Sequence, residues 1–228
     1  MRTDPLLHGD PPATHVRVWD MPTRLFHWST VLLVFVSWLS ADQGYMRVHL
    51  WSGAALLALL LFRIGWGMVG STTSRFRDFL HHPRKIALYL KALTGGEKPL
   101  YAGHNPAGGV MVVLLIAALL AQAATGLFAN DGVRFSAPFA NWISEDASDQ
   151  VTTIHGMIFN LILLLIWCHL VAVGFHLFVK GDNLVRPMVT GKKPCTHVPA
   201  GLNLVFARYS VALLLLGVAA GTVIWIIT

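Results

Sequence analysis

The stretch TIHGMIFNLILLLIWCHLVAVGFHLF, from Thr153 to Phe178, decides how the rest of the chain is read. It contains no Asp, Glu, Lys or Arg. A helix needs about 20 apolar residues to cross a hydrocarbon core of about 30 Å, and this run is long enough. Yet it carries three imidazoles, those of His155, His169 and His176. Outward from it, the spanning stretch extends over about 151–179, and four others lie at about 25–41, 48–69, 107–129 and 204–227. Helix is the open-ended form that satisfies its own backbone in lipid, so all five are read as transmembrane helices.

Composition agrees. Of 228 residues, 55% are hydrophobic and 12% charged, against about 25% charged in soluble domains. The expected class is an all-α membrane protein with one compact membrane domain. The chain divides into a cytoplasmic leader (1–24), a membrane domain (25–193), and a linker with the fifth helix (194–228). The leader has acids and prolines but no apolar core of signal-peptide length, so it is not read as a cleavable signal. No CxxCH occurs, which argues against covalent haem attachment. Cys168 and Cys195 have no paired spacing and are read as free thiols.

Loop Lys and Arg set the expected orientation. Thirteen fall on one side, in the leader (Arg2, Arg17, Arg24), after helix two (Arg75 to Lys98) and after helix four (Lys180 to Lys193). Two, Arg47 and Arg134, fall on the other, beside Asp42, Asp131, Glu145, Asp146 and Asp149. The basic side is expected to be cytoplasmic, which puts the N-terminus inside and Thr228 outside. The net charge of +6 then reflects the inner face and needs no nucleic acid. The run HHPRKIALYLKAL between helices two and three is expected to form a short interfacial helix.

Ionisable residues within membrane spans are functional candidates, although a single His near a helix end can simply bond headgroups or a carbonyl. Depth organises the set. His27 opens helix one near the inside; His49 opens helix two and His155 opens helix four, both near the outside. His169 follows His155 by fourteen residues, about 21 Å deeper and on about the same face. The depths pair His49 with His155 and His27 with His169. Two neutral imidazoles facing each other across a bundle suit the axial positions of a b-type haem iron. Zinc or proton pathways usually recruit buried carboxylates as well, and the apolar spans contain none.

Other residues keep two readings each. Gly53, Gly156 and the stripe Ala117, Ala121 and Ala124 can make room for a porphyrin or let helices pack closely. Arg63 lies fourteen residues after His49, at the inner pair's depth. It can meet a haem propionate or extend to the headgroups. His104, in GHNPAGG, reads as structural. His8, His15, His81, His82 and His197 fall in loops. His176 lies at or beyond the inner interface, too far from His155 to share an iron pairing within the bilayer.

The segments VWDMPTRLFHW, RVHLWSGAALLALLLFRIGWGMVG, GHNPAGG and IHGMIFNLILLLIWCHLVAVGFHLFVKGDNLVRPMVTGKK run in order over about residues 17–193. Together they resemble the bacterial cytochrome b561 and nickel-hydrogenase cytochrome b-subunit family. The resemblance implies a four-helix transmembrane bundle binding two haem b groups, with ligand positions matching His27, His49, His155 and His169. It implies electron exchange between the membrane quinone pool and a redox partner, such as a periplasmic c-type cytochrome in a respiratory chain of the bacterial inner membrane. His176 would then lie beside a quinone site. The fifth helix goes beyond the four-helix core. A superoxide:ubiquinone oxidoreductase and a membrane-anchor subunit of a hydrogenase or dehydrogenase complex are the alternatives within this frame. A histidine-lined metal transporter is the alternative outside it.

Overall fold

The computed structural model describes residues 14–97, 99–133 and 135–228. The first thirteen residues of the leader with Arg2 and His8, and also Lys98 and Arg134, lie outside the described residues. The elements in order are β1 (His15–Arg17), α1 (Met21–Asp42), α2 (Met46–Val69), α3 (Phe76–Phe79), α4 (Pro83–Thr94), α5 (Pro106–Gly126), α6 (Glu145–Phe175, continued by a π-helical turn His176–Lys180), α7 (Val185–Thr190), β2 (Lys192–Pro194) and α8 (Tyr209–Ile227). Five of these helices, α1, α2, α5, α6 and α8, are long and apolar enough to cross a membrane.

Several boundaries differ from the apolar runs, because polar caps rather than hydropathy set where helices begin. The Asp20 carboxylate accepts from the Thr23 amide at 2.7 Å, with Pro22 in the first turn, so α1 starts at Met21. Asn105 accepts from the Gly108 amide at 2.7 Å and Pro106 opens α5. Ser144 caps α6, which therefore begins well before residue 151. Glu145 and Asp146 occupy its first turn, where carboxylates favour the positive end of the helix dipole. Asp149 lies inside the helix and accepts from the Asn130 amide group at 2.9 Å. These acids belong to α6 rather than to a free loop.

The short helix expected between the second and third spans is α4. It buries Tyr89 and exposes Leu88 and Leu90. The fifth helix starts later than its apolar run, because the chain before it is held extended. The Thr72 amide donates to the Val205 carbonyl at 3.0 Å and the Ala207 amide to Ser71 Oγ at 3.1 Å.

One end of the bundle carries the N-terminus of α1, the C-terminal ends of α2 and α6, and the N-terminal ends of α5 and α8; it is called the basic end below. A two-stranded antiparallel ribbon caps it, pairing His15 with Pro194 and Arg17 with Lys192. His15 is thus a strand residue, and residues assigned to the leader join Lys192 and Lys193 at the end of the expected membrane domain and Pro194 at the start of the linker. Val18, Trp19 and Asp20 are buried behind the ribbon. The Val18 and Trp19 amides both donate to the Gly191 carbonyl. Gly191 has φ +81°, and an added Cβ would meet the Trp19 carbonyl at 3.0 Å, so this turn requires glycine.

Helix α2 is the middle of the assembly, packing against α1, α5 and α8. Leu56, Leu60, Ile116, Leu119 and Ile162 join α2, α5 and α6 in a dry layer halfway along the bundle. Phe62 and Trp66 meet Ala212 and Ala219 of α8, and Leu215 lies against Gly65. The stripe Ala117, Ala121 and Ala124 faces outward, and the buried positions of α5 are Pro106, Gly109, Ile116, Ala118 and Leu119 instead. The small-residue stripe therefore neither packs helices together within the chain nor lines an interior site.

Candidate functional site

The structure brings four of the histidines together in two pairs. His49 on α2 and His155 on α6 have ring centres 6.1 Å apart. His27 on α1 and His169 on α6 have ring centres 6.5 Å apart. Both α6 histidines lie on one continuous helix, so the two levels are about 21 Å apart along its axis. The α1–α6 and α2–α6 faces are not among the closely packed helix pairs; the imidazoles meet across the space between them.

That spacing fits a bridging metal. Two imidazoles that each bonded one ion at about 2 Å would hold their ring centres up to about 6.4 Å apart. The same separations also suit rings meeting edge-on or tilted, and neither pair shares a hydrogen bond. Among the described residues no group of three or more His, Cys, Asp and Glu side chains converges. The donors come in twos, which suits an ion whose remaining positions are filled by a macrocycle.

At the opposite end of the bundle, called the acidic end after Glu145, Asp146 and Asp149 of α6, hydrogen bonds to the rings fix their tautomers. The His49 Nδ1–H donates to the Ser37 carbonyl at 2.8 Å, since a carbonyl can only accept. Its Nε2 therefore keeps a free lone pair, as a ligand needs. The Ser37 carbonyl also accepts from Ser40, and the Ser37 and Ser52 hydroxyls bond at 2.7 Å. The Thr125 hydroxyl donates to the Ala121 carbonyl at 2.8 Å and so accepts from His155 Nδ1–H at 3.1 Å. His155 Nε2 then accepts from the Gln122 amide at 3.0 Å. Gln122 thus covers the lone pair a metal would take, while its own Oε1 is buried without a partner.

A cavity of about 320 Å³ opens between these rings, with Trp38, Gly53, Gln122, Gly156 and Phe159 in its wall. A Cβ on Gly53 or Gly156 would meet nothing within 4 Å, whereas one on Gly126 would stand 3.0 Å from His155 Cε1. Glycine at 126 lets the ring lie where it does.

The basic-end pair is set differently. His27 Nδ1 is sealed from solvent and has no hydrogen-bond partner among the described residues, and the ring lies edge-on to Trp28 at 4.9 Å. Arg63 does not extend to the headgroups; it is 2% exposed, over the rings of Phe76 and Phe26. His104 is wedged between Trp19 and Phe79. Burial pushes its imidazole down to about 3, and the Arg63 charge and the His169 and His27 rings reach it as well.

His176 stands apart from both pairs. Its Nε2 is 3.2 Å from the Tyr89 hydroxyl and 3.4 Å from the Asn105 amide. Burial, with Tyr101 and Asp182 nearby, raises the Tyr89 hydroxyl to about 12, so it stays protonated and donates. Among the other histidines, His82 caps α4 through its side chain, and His197 Nδ1 approaches Asp182 at 3.8 Å.

The residues that sequence reasoning passed over are Ser37, Gln122, Thr125 and Tyr89. Gln122 carried a visible signal, being the one amide in an otherwise apolar span.

A search of the curated proteins finds no match. The family model for prokaryotic cytochrome b561 matches residues 18–191, from the buried segment before α1 to the glycine after α7, and leaves α8 outside. The helical membrane bundle, its paired histidines and this match agree: the chain belongs to the prokaryotic cytochrome b561 family, whose members are haem-b electron-transfer proteins of the membrane.

Proposed function

We propose that the chain carries electrons across a membrane through two b haems, one held by His49 and His155 and the other by His27 and His169. The observation that carries this reading is the pair of imidazole couples at metal-bridging separation, about 21 Å apart along α6. Each haem supplies a one-electron iron centre. The chain orients the imidazoles, fixes the His49 and His155 tautomers, and excludes water with the Leu56–Leu60–Ile162 layer. Residues 25–193 hold both sites, and α8 braces α2 from outside.

The basic end faces the cytoplasm of a bacterial inner membrane, following the Lys and Arg bias. Arg208, which precedes α8, adds to the same end. A quinone exchanges electrons there, beside His176, Tyr89 and Asn105, whose polar atoms suit a quinone carbonyl and its protons. A basic c-type cytochrome meets the acidic end, steered by Glu145, Asp146 and Asp149. Orientation is tested by C-terminal fusions: alkaline phosphatase at Thr228 should be active and green fluorescent protein dark, and the reverse would invert the assignment.

The activity is tested on purified protein in liposomes. A quinol should reduce both haems, and a basic c-type cytochrome added outside should reoxidise them. His176→Ala should keep both haems and slow reduction by quinol about tenfold. Haems left oxidised by quinol but reduced by superoxide, or by an iron–sulfur protein, would replace this partner assignment.

A further inference from the structure

Arg63 is a buried cation with no ion-pair partner among the described residues. Its Nη1 is sealed and makes no hydrogen bond, and no carboxylate of a described residue lies within 4.0 Å. The faces of Phe76 at 5.0 Å and Phe26 at 5.9 Å compensate only in part. Asp20, whose charge reaches Arg63, is already engaged: Oδ1 accepts from the Thr23 amide, and Oδ2 accepts from Trp66 Nε1 at 3.1 Å and Ser74 Oγ at 3.2 Å. An uncompensated buried charge is strongly unfavourable, so the position calls for an anion that no described residue supplies.

His104 offers a second unmet group at the same place. Its ring centre lies 4.6 Å from that of Phe79, and Phe79 lies 5.7 Å from Phe76, on which Arg63 rests. His104 Nδ1 is sealed and unpartnered although the residue as a whole is half-buried. The local sequence fixes it there. Asn105 and Pro106 start α5 directly after it, and Gly109 admits Phe79, whose carbonyl would stand 2.8 Å from a Cβ at that position. The imidazole is neutral in this setting, so one ring nitrogen carries a proton it can donate. A cationic fork and a neutral N–H thus lie together beside His27 and His169, both lacking an acceptor.

We infer that Arg63 and His104 form a carboxylate-binding site that anchors a propionate of the basic-end haem, with His104 as a positioning residue that donates a ring N–H beside the Arg63 charge. The inference rests on the two-haem reading. A carboxylate has about four lone-pair sites, enough to accept from both. The arrangement ties α2 and the start of α5 to a cofactor whose iron is held by α1 and α6, so all four helices of the bundle contribute to one site.

The test uses purified holoprotein with haem content, resonance Raman spectra and redox titration as readouts. Wild-type haem content comes first: fewer than two haems per chain would sink the two-haem reading itself. His104→Phe keeps the ring between Trp19 and Phe79 but removes the donor. It should retain both haems and shift the propionate bending band and potential of the basic-end haem alone. Arg63→Gln should lower that haem's potential, because a cation favours the reduced iron, and Arg63→Lys should restore most of it. With two haems present, an unchanged propionate band in His104→Phe and Arg63→Lys, or equal shifts at both haems, overturns the inference. That outcome holds even if Arg63→Gln fails to accumulate.

Discussion

The two histidine levels use the same donor chemistry in opposite settings. At the acidic end, His49 and His155 are held by neutral hydrogen bonds to Ser37 and Thr125 beside an open cavity walled by Gly53 and Gly156. At the basic end, His27 lies edge-on to Trp28, with a buried guanidinium over Phe26 and Phe76 and, among the described residues, unmet polar atoms on His27, Arg63 and His104. One imidazole pair is thus orientated by hydrogen bonds and the other by packing and charge. The first should be sensitive to the partners of its imidazoles. The second should be sensitive to electrostatics.

The largest expected effects come from the four histidines proposed as ligands. His49→Ala or His155→Ala should abolish the acidic-end haem and leave the other; His27→Ala or His169→Ala should do the converse, as read by separate components in a redox titration. If His27→Ala and His155→Ala removed the same component, the pairing would be wrong. Thr125→Val comes next. It removes the acceptor for His155 Nδ1–H and should weaken acidic-end haem retention about 10–100-fold, measured by haem loss to apomyoglobin, with basic-end retention unchanged. Equal loss at both levels would erase the contrast. The unmutated protein should also show two potentials, with the basic-end haem the more positive because Arg63 stabilises its reduced form. The smallest effect is at the surface. Glu145→Gln with Asp146→Asn should slow reoxidation by a basic cytochrome c a few-fold at low salt and not at high salt; a salt-independent change would make these carboxylates purely helix-stabilising.

The histidine depths were legible in the sequence because helix rise is constant and α6 is unbroken between His155 and His169. Given five spans, alternating direction then matched the levels. The helix starts were legible too, in Asp20–Met21–Pro22, Asn105–Pro106 and Ser144–Glu145, but an apolar-run reading passes over polar caps that lie outside the hydrocarbon. Ser37, Thr125 and Gln122 were not legible as partners of imidazoles. Their contacts depend on how α1 turns against α2 and α5 against α6, which is set by packing between helices. The Ala117–Ala121–Ala124 stripe shows the same limit: its periodicity is visible in the chain, and the face it turns outward is not. Arg63 allowed both burial and extension to the headgroups, and only the rings of Phe26 and Phe76 decide for burial.

The central claim is one haem for each histidine pair, and haem stoichiometry tests it most directly. A pyridine haemochrome assay on purified protein, set against protein concentration from amino-acid analysis, should give close to two non-covalently bound b haems per chain. A value near one, or no haem with zinc bound in its place, would contradict the account.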